Sequence, residues 1–138
     1  MTQETIDLVH QTQPTDRTCV QTCIAMALGV PVSEVIDRWG GEALNQQTLT
    51  SILTECKVVW NQMVFGTFIF DGWYFISVPS RNHPGGAHQI LVRWSSSKGC
   101  ISVLDPAQGV RYKPDGSDLI SWFDMTPFWV GGQLPRRP

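Results

Sequence analysis

No stretch of this sequence supplies the roughly 20 consecutive apolar residues that a bilayer-spanning helix needs. The densest apolar piece, MVFGTFIFDGWYFISV, is interrupted by Gly66, Asp71 and Gly72 and is rich in β-formers, so it reads as strands. Membrane insertion is therefore not expected. Charge is sparse as well: 16% of residues are charged and the formal net charge is −2. Lys and Arg are scattered, with Arg136-Arg137 the only basic run and no acidic block anywhere. That removes the electrostatic footprint of a nucleic-acid binder. The opening MTQETIDLVH has neither the basic nor the apolar region of a secretory signal. The cysteines number only four, and without a leader they are expected to stay reduced in a cytoplasmic setting. Internal repeats and low-complexity linkers are absent.

What is present suits a single domain spanning 1–138: 138 residues, of which 42% are hydrophobic, are enough to bury a core. The first half reads as helical. A buried helix runs from Val20 through Leu28 and is stopped by Gly29 and Pro31. Ser33 is placed to cap a short helix, SEVIDRWGG. Then QTLTSILTECK puts Leu49, Ile52, Leu53 and Cys56 at the helical period, with Thr48 as its cap. The second half reads as strands: Met63 to Phe70, Trp73 to Val78, then AHQILVRW and ISVLD around the polar loop SSSKG. GVRY follows the turn DPAQ. A last short helix around SDLISWFD, a strand PFWV and a loose tail from about residue 133 complete the chain. Helices followed by an antiparallel sheet define an α+β fold.

Within QTQPTDRTCVQTCIAMALGVP the buried helix opens on Cys19. A core helix has no need of a thiol in its first turn. A thiolate, however, is favoured by the unpaired N–H groups and positive end of a helix, and by a nearby imidazolium. The hairpin supplies one. If Trp94 pairs near Gly99 or Cys100, paired numbers sum to about 193 or 194, which sets His88 opposite Asp105 or one step off. A carboxylate there can fix the imidazole tautomer and stabilise its cation. The Cys19 N–H can receive a developing oxyanion, and Gln13, in the loop before the helix, is the candidate for a second donor. Gln11 competes with Gln13 for that role, and His83, in the turn PSRNHPGG, competes with His88. Asp105 is also an ordinary turn starter before Pro106, and His10 has no evident partner.

The order and spacing of QPTDRTCVQTCIAMALG, GGAHQILV and VLDPAQG resemble the papain-like peptidases that process bacteriocin leaders, domains often fused to double-glycine-leader exporters. The resemblance covers about Gln13 to Leu134, including the ending SWFDMTPFWVGGQL. It implies a papain-like fold, a bacterial or phage setting and a peptide or protein substrate. It makes Cys19 the nucleophile, His88 the base, Asp105 its orienter and Gln13 the oxyanion donor, with no cofactor. Where the family has Asp-Cys-Gly, this chain has Thr18-Cys19-Val20. That departure motivates the alternative of a catalytically silent papain-like module that binds peptide or protein. A zinc site from Cys19, Cys23, His83 and His88 is a further, weaker alternative. Cys23, Cys56 and Cys100 read as packing residues, the six tryptophans as core and cleft lining, and Gly131-Gly132 as a terminal loop.

Overall fold

The computed structural model describes residues 7–62 and 66–136. Three helices, α1 (Cys19–Leu28), α2 (Val32–Trp39) and α3 (Gln46–Glu55), precede the strands β1 (Val59–Trp60), β2 (Gly72–Pro79), β3 (Ala87–Ser95), β4 (Gly99–Leu104) and β5 (Asp124–Trp129). The strands form one antiparallel sheet in the order β1-β5-β2-β3-β4. The α+β architecture expected from the sequence is the one observed.

α1 is the central helix, with every residue from Val20 to Ala27 buried. Its small and flexible side chains allow α2, α3 and β3 to pack around it. Gly29, in the left-handed region at φ 69, returns its N–H to the last turn and ends the helix. Polar residues on so buried a helix must be satisfied. Gln21 Nε2 donates to the carbonyls of Gly40 (3.0 Å) and Glu42 (2.7 Å), and Thr22 Oγ1 donates to Thr18 O at 2.7 Å. These bonds lock the loop before α3 against α1.

β2 is apolar along its length because both faces are covered. Trp73 and Phe75 join α1, Leu91 and Phe128 in the core beneath the helices, while Tyr74, Ile76 and Val78 join Ile90, Val92 and Val103 on the other face. Burying each such side chain contributes about 1.5–3 kcal/mol. On the second face, Phe68, Leu119 and Trp122 from irregular segments stand where a helix layer would otherwise be.

Several local expectations fail for identifiable reasons. Ser33 does not cap α2, which starts after Pro31; the Gln11 carboxamide accepts from Val32 N instead, at 3.0 Å. Asn45, not Thr48, caps α3 by accepting from Thr48 N at 2.8 Å. Of the expected strand from Met63 to Phe70, residues 63–65 lie outside the described residues, and 66–70 are turns and irregular backbone. GVRY is likewise irregular, with Tyr112 buried. Around SDLISWFD no helix forms among the described residues: Asp115 Oδ1 accepts from Ser117 N, and Asp118 binds Lys113 N and Arg81. Such side-chain bonds offer the backbone an alternative to helix. The PFWV strand begins earlier, at Asp124, and carries Pro127 where β1 has ended. The tail is not loose from residue 133: Gln133 N donates to Cys56 O at 2.9 Å, and Leu134 packs against the core. Gly132 is needed there, because a Cβ would sit 2.3 Å from Val58 Cγ2.

Candidate active site

The N-terminus of α1 and the ends of β3 and β4 meet at one rim of the sheet, and the meeting depends on a bulge. Near the hairpin turn, Trp94 pairs with Cys100 and Ser95 with Gly99; past an irregularity at Arg93/Trp94 the register becomes Arg93 with Ser102 and Leu91 with Leu104. The extra residue, Ile101, shifts each subsequent pair by one. Continued one step, the ladder sets Asp105 across from Ile90, two places from His88 and on the same face. Without the bulge, Asp105 would face the other way. The direct pairing of His88 with Asp105 expected from the sequence is thus replaced by a diagonal one, which long side chains can span.

They do span it. His88 Nε2 donates to Asp105 Oδ1 at 2.6 Å. The carboxylate is 4% exposed and saturated: Oδ1 also accepts from Ala107 N (2.9 Å), and Oδ2 from Tyr112 N (2.7 Å). Asp105 therefore starts a turn and holds the ring at once. With Nε2 committed, Nδ1 is the ring nitrogen left for Cys19, which lies near enough to the ring to help raise its pKa and lines both clefts with it.

Burial disfavours charge on this imidazole. The hydrogen bond and charge of Asp105, with a contribution from the neighbouring Cys19 side chain, outweigh it and push the His88 pKa up to about 9. Burial also opposes charge on Asp105, yet the bonds from His88, Ala107 and Tyr112 hold its carboxyl below the usual range. Each group stabilises the charged form of the other. At the thiol's helix, Thr18 makes no side-chain capping bond; its hydroxyl donates to Thr15 O at 3.1 Å. The first N–H groups of α1, which no helical carbonyl can reach, are left without a side-chain cap beside Cys19.

The two glutamines separate cleanly. Gln11 Nε2 donates to Val30 O at 2.7 Å while its Oε1 takes Val32 N, so Gln11 staples the α1–α2 junction. Gln13 is 6% exposed, its Oε1 is buried with no hydrogen-bond partner, and the residue lines a cleft with Cys19 and His88. Its backbone is held from the Asp105 side: Gln13 N donates to Pro106 O at 2.7 Å, and Gln108 Nε2 donates to Gln13 O (2.8 Å) and Pro14 O (3.0 Å). His10, which has no evident partner in the sequence, donates from Nε2 to Asp105 O at 2.7 Å. His10 and Gln108 are the residues that sequence reasoning misses. The turn signal of Asp105-Pro106 followed by Gly109 is the sequence feature that marks that loop.

Two clefts open beside the thiol. One, of about 280 Å³, lies between α1, the start of α3 and the β2–β5 end; the other, of about 260 Å³, lies toward Gln13, Asn82 and Gln108. Asp16, Cys19, Ala87 and His88 line both. His83 stays on the rim of the second cleft, 3.7 Å from Asp16. Cys23 points away from the clefts: it is wholly buried, its thiol donates to Gln89 O at 3.4 Å, and burial, with repulsion from Cys19 and Asp105, pushes its pKa well up. Cys19, Cys23, His83 and His88 therefore do not converge as zinc ligands, and among the described residues no three His, Cys, Asp or Glu side chains group as a metal site. Cys56 is buried and Cys100 half-buried, and all four thiols are free. No helix among the described residues is long and apolar enough to cross a membrane. No family model and no curated protein matches the chain.

Proposed function

We propose that this chain is a papain-like cysteine hydrolase that cleaves an amide bond in a peptide or isopeptide. The observation that carries this reading is His88, hydrogen-bonded to the buried Asp105 and facing the same two clefts as Cys19 at an uncapped helix N-terminus. An imidazolium held by a buried carboxylate next to a thiol favours the thiolate–imidazolium pair, the nucleophilic form. Cys19 Sγ attacks the acyl carbon and the carbonyl electrons move onto oxygen. The oxyanion is received by the Cys19 N–H and by Gln13, which keeps Oε1 inward and presents Nε2. His88 passes its proton to the leaving nitrogen as the C–N bond breaks. Water, deprotonated by His88, then hydrolyses the thioester and frees Cys19. Asp105 keeps the ring in register throughout.

The unpartnered Gln13 Oε1 supports the same reading. A buried orphan acceptor costs about 1–3 kcal/mol, and such a cost is retained where the rest of the group has work elsewhere. The proposed setting is a reducing, cytoplasmic one, in which a nucleophilic thiol persists. One observation favours the alternative of a silent peptide-binding module: Val20 lines the first cleft where the family has glycine, so a substrate backbone has less room to approach.

Iodoacetamide labelling at pH 6, resolved by peptide mapping, separates an activated thiol from packing thiols. Cys19 is expected to react roughly 100-fold faster than Cys23, Cys56 or Cys100. Equal labelling of all four would overturn the hydrolase reading.

A further inference from the structure

The two clefts that meet at Cys19 have different walls, and the difference bears on the substrate. In the first cleft most polar groups are already committed. Asn45 caps α3, Gln46 Nε2 donates to Thr126 Oγ1 at 2.7 Å, and Gln89 Nε2 donates to Ile90 O at 3.3 Å. Arg17, the only Lys or Arg on this wall, is paired with Glu42 at 2.8 Å. Asp124 is the exception. It opens β5 with an exposed side chain that has no hydrogen bond or ion pair among the described residues. Asp16, on the same wall, is 66% exposed, and among the described residues its ionic neighbour is His83, 3.7 Å away. Val20 and Leu44 contribute apolar side chains to the same wall.

Such a wall, combining aliphatic side chains with two carboxylates, matches a side chain with a long methylene stem and a cationic head. The starts of α1 and α3 also border this cleft and oppose a cation, but each carries only about half a unit of positive charge. Together they offset one carboxylate; the His88 imidazolium on the same wall is balanced by Asp105 at 2.6 Å, and the cleft stays net anionic. Resting on the hydrolase reading, we propose that the first cleft is a specificity subsite for a lysine or arginine side chain flanking the bond attacked by Cys19. Asp124 is its principal specificity determinant and Asp16 an accessory one.

Paired tetrapeptide amides that differ only in lysine against norleucine, scanned through the positions around the scissile bond, test this in two ways. Calorimetric binding to Cys19→Ala protein reads the subsite without chemistry, and turnover by the unmodified protein reads the chemistry. At one position lysine is expected to bind about fivefold tighter than norleucine, as suits a pair that stays solvent-exposed. That ratio should fall toward one in Asp124→Asn and in roughly 0.5 M salt. Equal binding of the two peptides at every position, or a ratio that Asp124→Asn leaves unchanged, overturns the subsite. A lysine preference in binding with no turnover of any peptide keeps the subsite and sinks the hydrolase.

Discussion

Cys19 and Cys23 lie one helical turn apart on α1, chemically identical and close enough to influence each other's charge, yet their surroundings are opposite. Cys19 is half-buried where the helix has free N–H groups, a cationic ring and open clefts. Cys23 is 0% exposed, its thiol is spent on a strand carbonyl, and burial keeps it protonated. A displacement of about 6 Å along the helix, four residues at 1.5 Å each, thus separates the proposed nucleophile from an apolar spacer of the same chemistry. On the proposed reading, reactivity on this helix is a property of position, not of residue type.

The most direct way to break that contrast is to truncate each thiol in turn. Cys19→Ala is expected to lower amide turnover by at least about 10⁴-fold, the scale seen when a nucleophile of a catalytic set is removed. It should leave the unfolding midpoint nearly unmoved, because alanine suits a first helical turn. Cys23→Ala should do the reverse, keeping turnover within about threefold while costing about 1–2 kcal/mol in urea unfolding through lost packing. Comparable losses of turnover in both variants would mean that the two sulfurs act as a unit.

A smaller effect of the same kind separates Gln11 from Gln13, two residues apart in one loop. Gln11 uses both ends of its amide on the α1–α2 junction, so Gln11→Ala is expected to cost about 1–2 kcal/mol of stability with turnover retained. Gln13→Ala removes the proposed oxyanion donor and also an orphan acceptor. A loss of roughly 10²- to 10³-fold in kcat, with stability unchanged or slightly raised, is the expected outcome. If steady-state kinetics showed the loss in KM alone, Gln13 would be contacting substrate rather than the transition state.

These contrasts also show which features local sequence carries. The run from Cys19 to Leu28 and its stop at Gly29 could be read directly, since composition and a left-handed glycine are local facts. The β3–β4 hairpin was equally visible from alternation around SSSKG. Its register was not, because the bulge that inserts Ile101 is a tertiary choice, and it decides which face Asp105 occupies. The helix caps at Asn45 and Pro31 were misassigned to Thr48 and Ser33 because any of these residues is a plausible cap in isolation. For α2 the deciding partner, Gln11, lies 21 residues from Val32. The failed helix at SDLISWFD has the same origin: Arg81, 37 residues from Asp118, helps fix that carboxylate where it competes with helix formation. Of the candidate site, the four side chains were named in advance, whereas His10 and Gln108 were not. Each acts through a backbone carbonyl, and no side-chain pattern announces such a contact.

The pH dependence of folding gives the finest test of whether Cys19 and the ring are joined. His88 has its pKa raised from 6.5 to about 9 in the folded chain, so between those values the native state holds a proton that the unfolded state has released. Stability must then fall as pH rises through this window. The contribution is complete below pH 6.5 and gone above about 9, and between pH 6 and 8 the loss is on the order of 2 kcal/mol. Asp105, with its pKa lowered, acts at the other end: its contribution is complete above the ordinary carboxylate value and disappears as pH falls through the lowered one. Stability should therefore be greatest in the mildly acidic range between the two. Cys19→Ala deletes one of the two partners that hold the proton on His88, so its loss between pH 6 and 8 should start at the same pH but be smaller and level off at lower pH, whereas Cys23→Ala should track the unmodified chain. Keeping the scan below pH 8 excludes Cys23, Cys56 and Cys100, whose raised pKa values let them contribute only at higher pH. Identical slopes in Cys19→Ala and the unmodified chain would show that Asp105 alone sustains the imidazolium, leaving the sulfur at position 19 as uncoupled from the ring as the one at position 23.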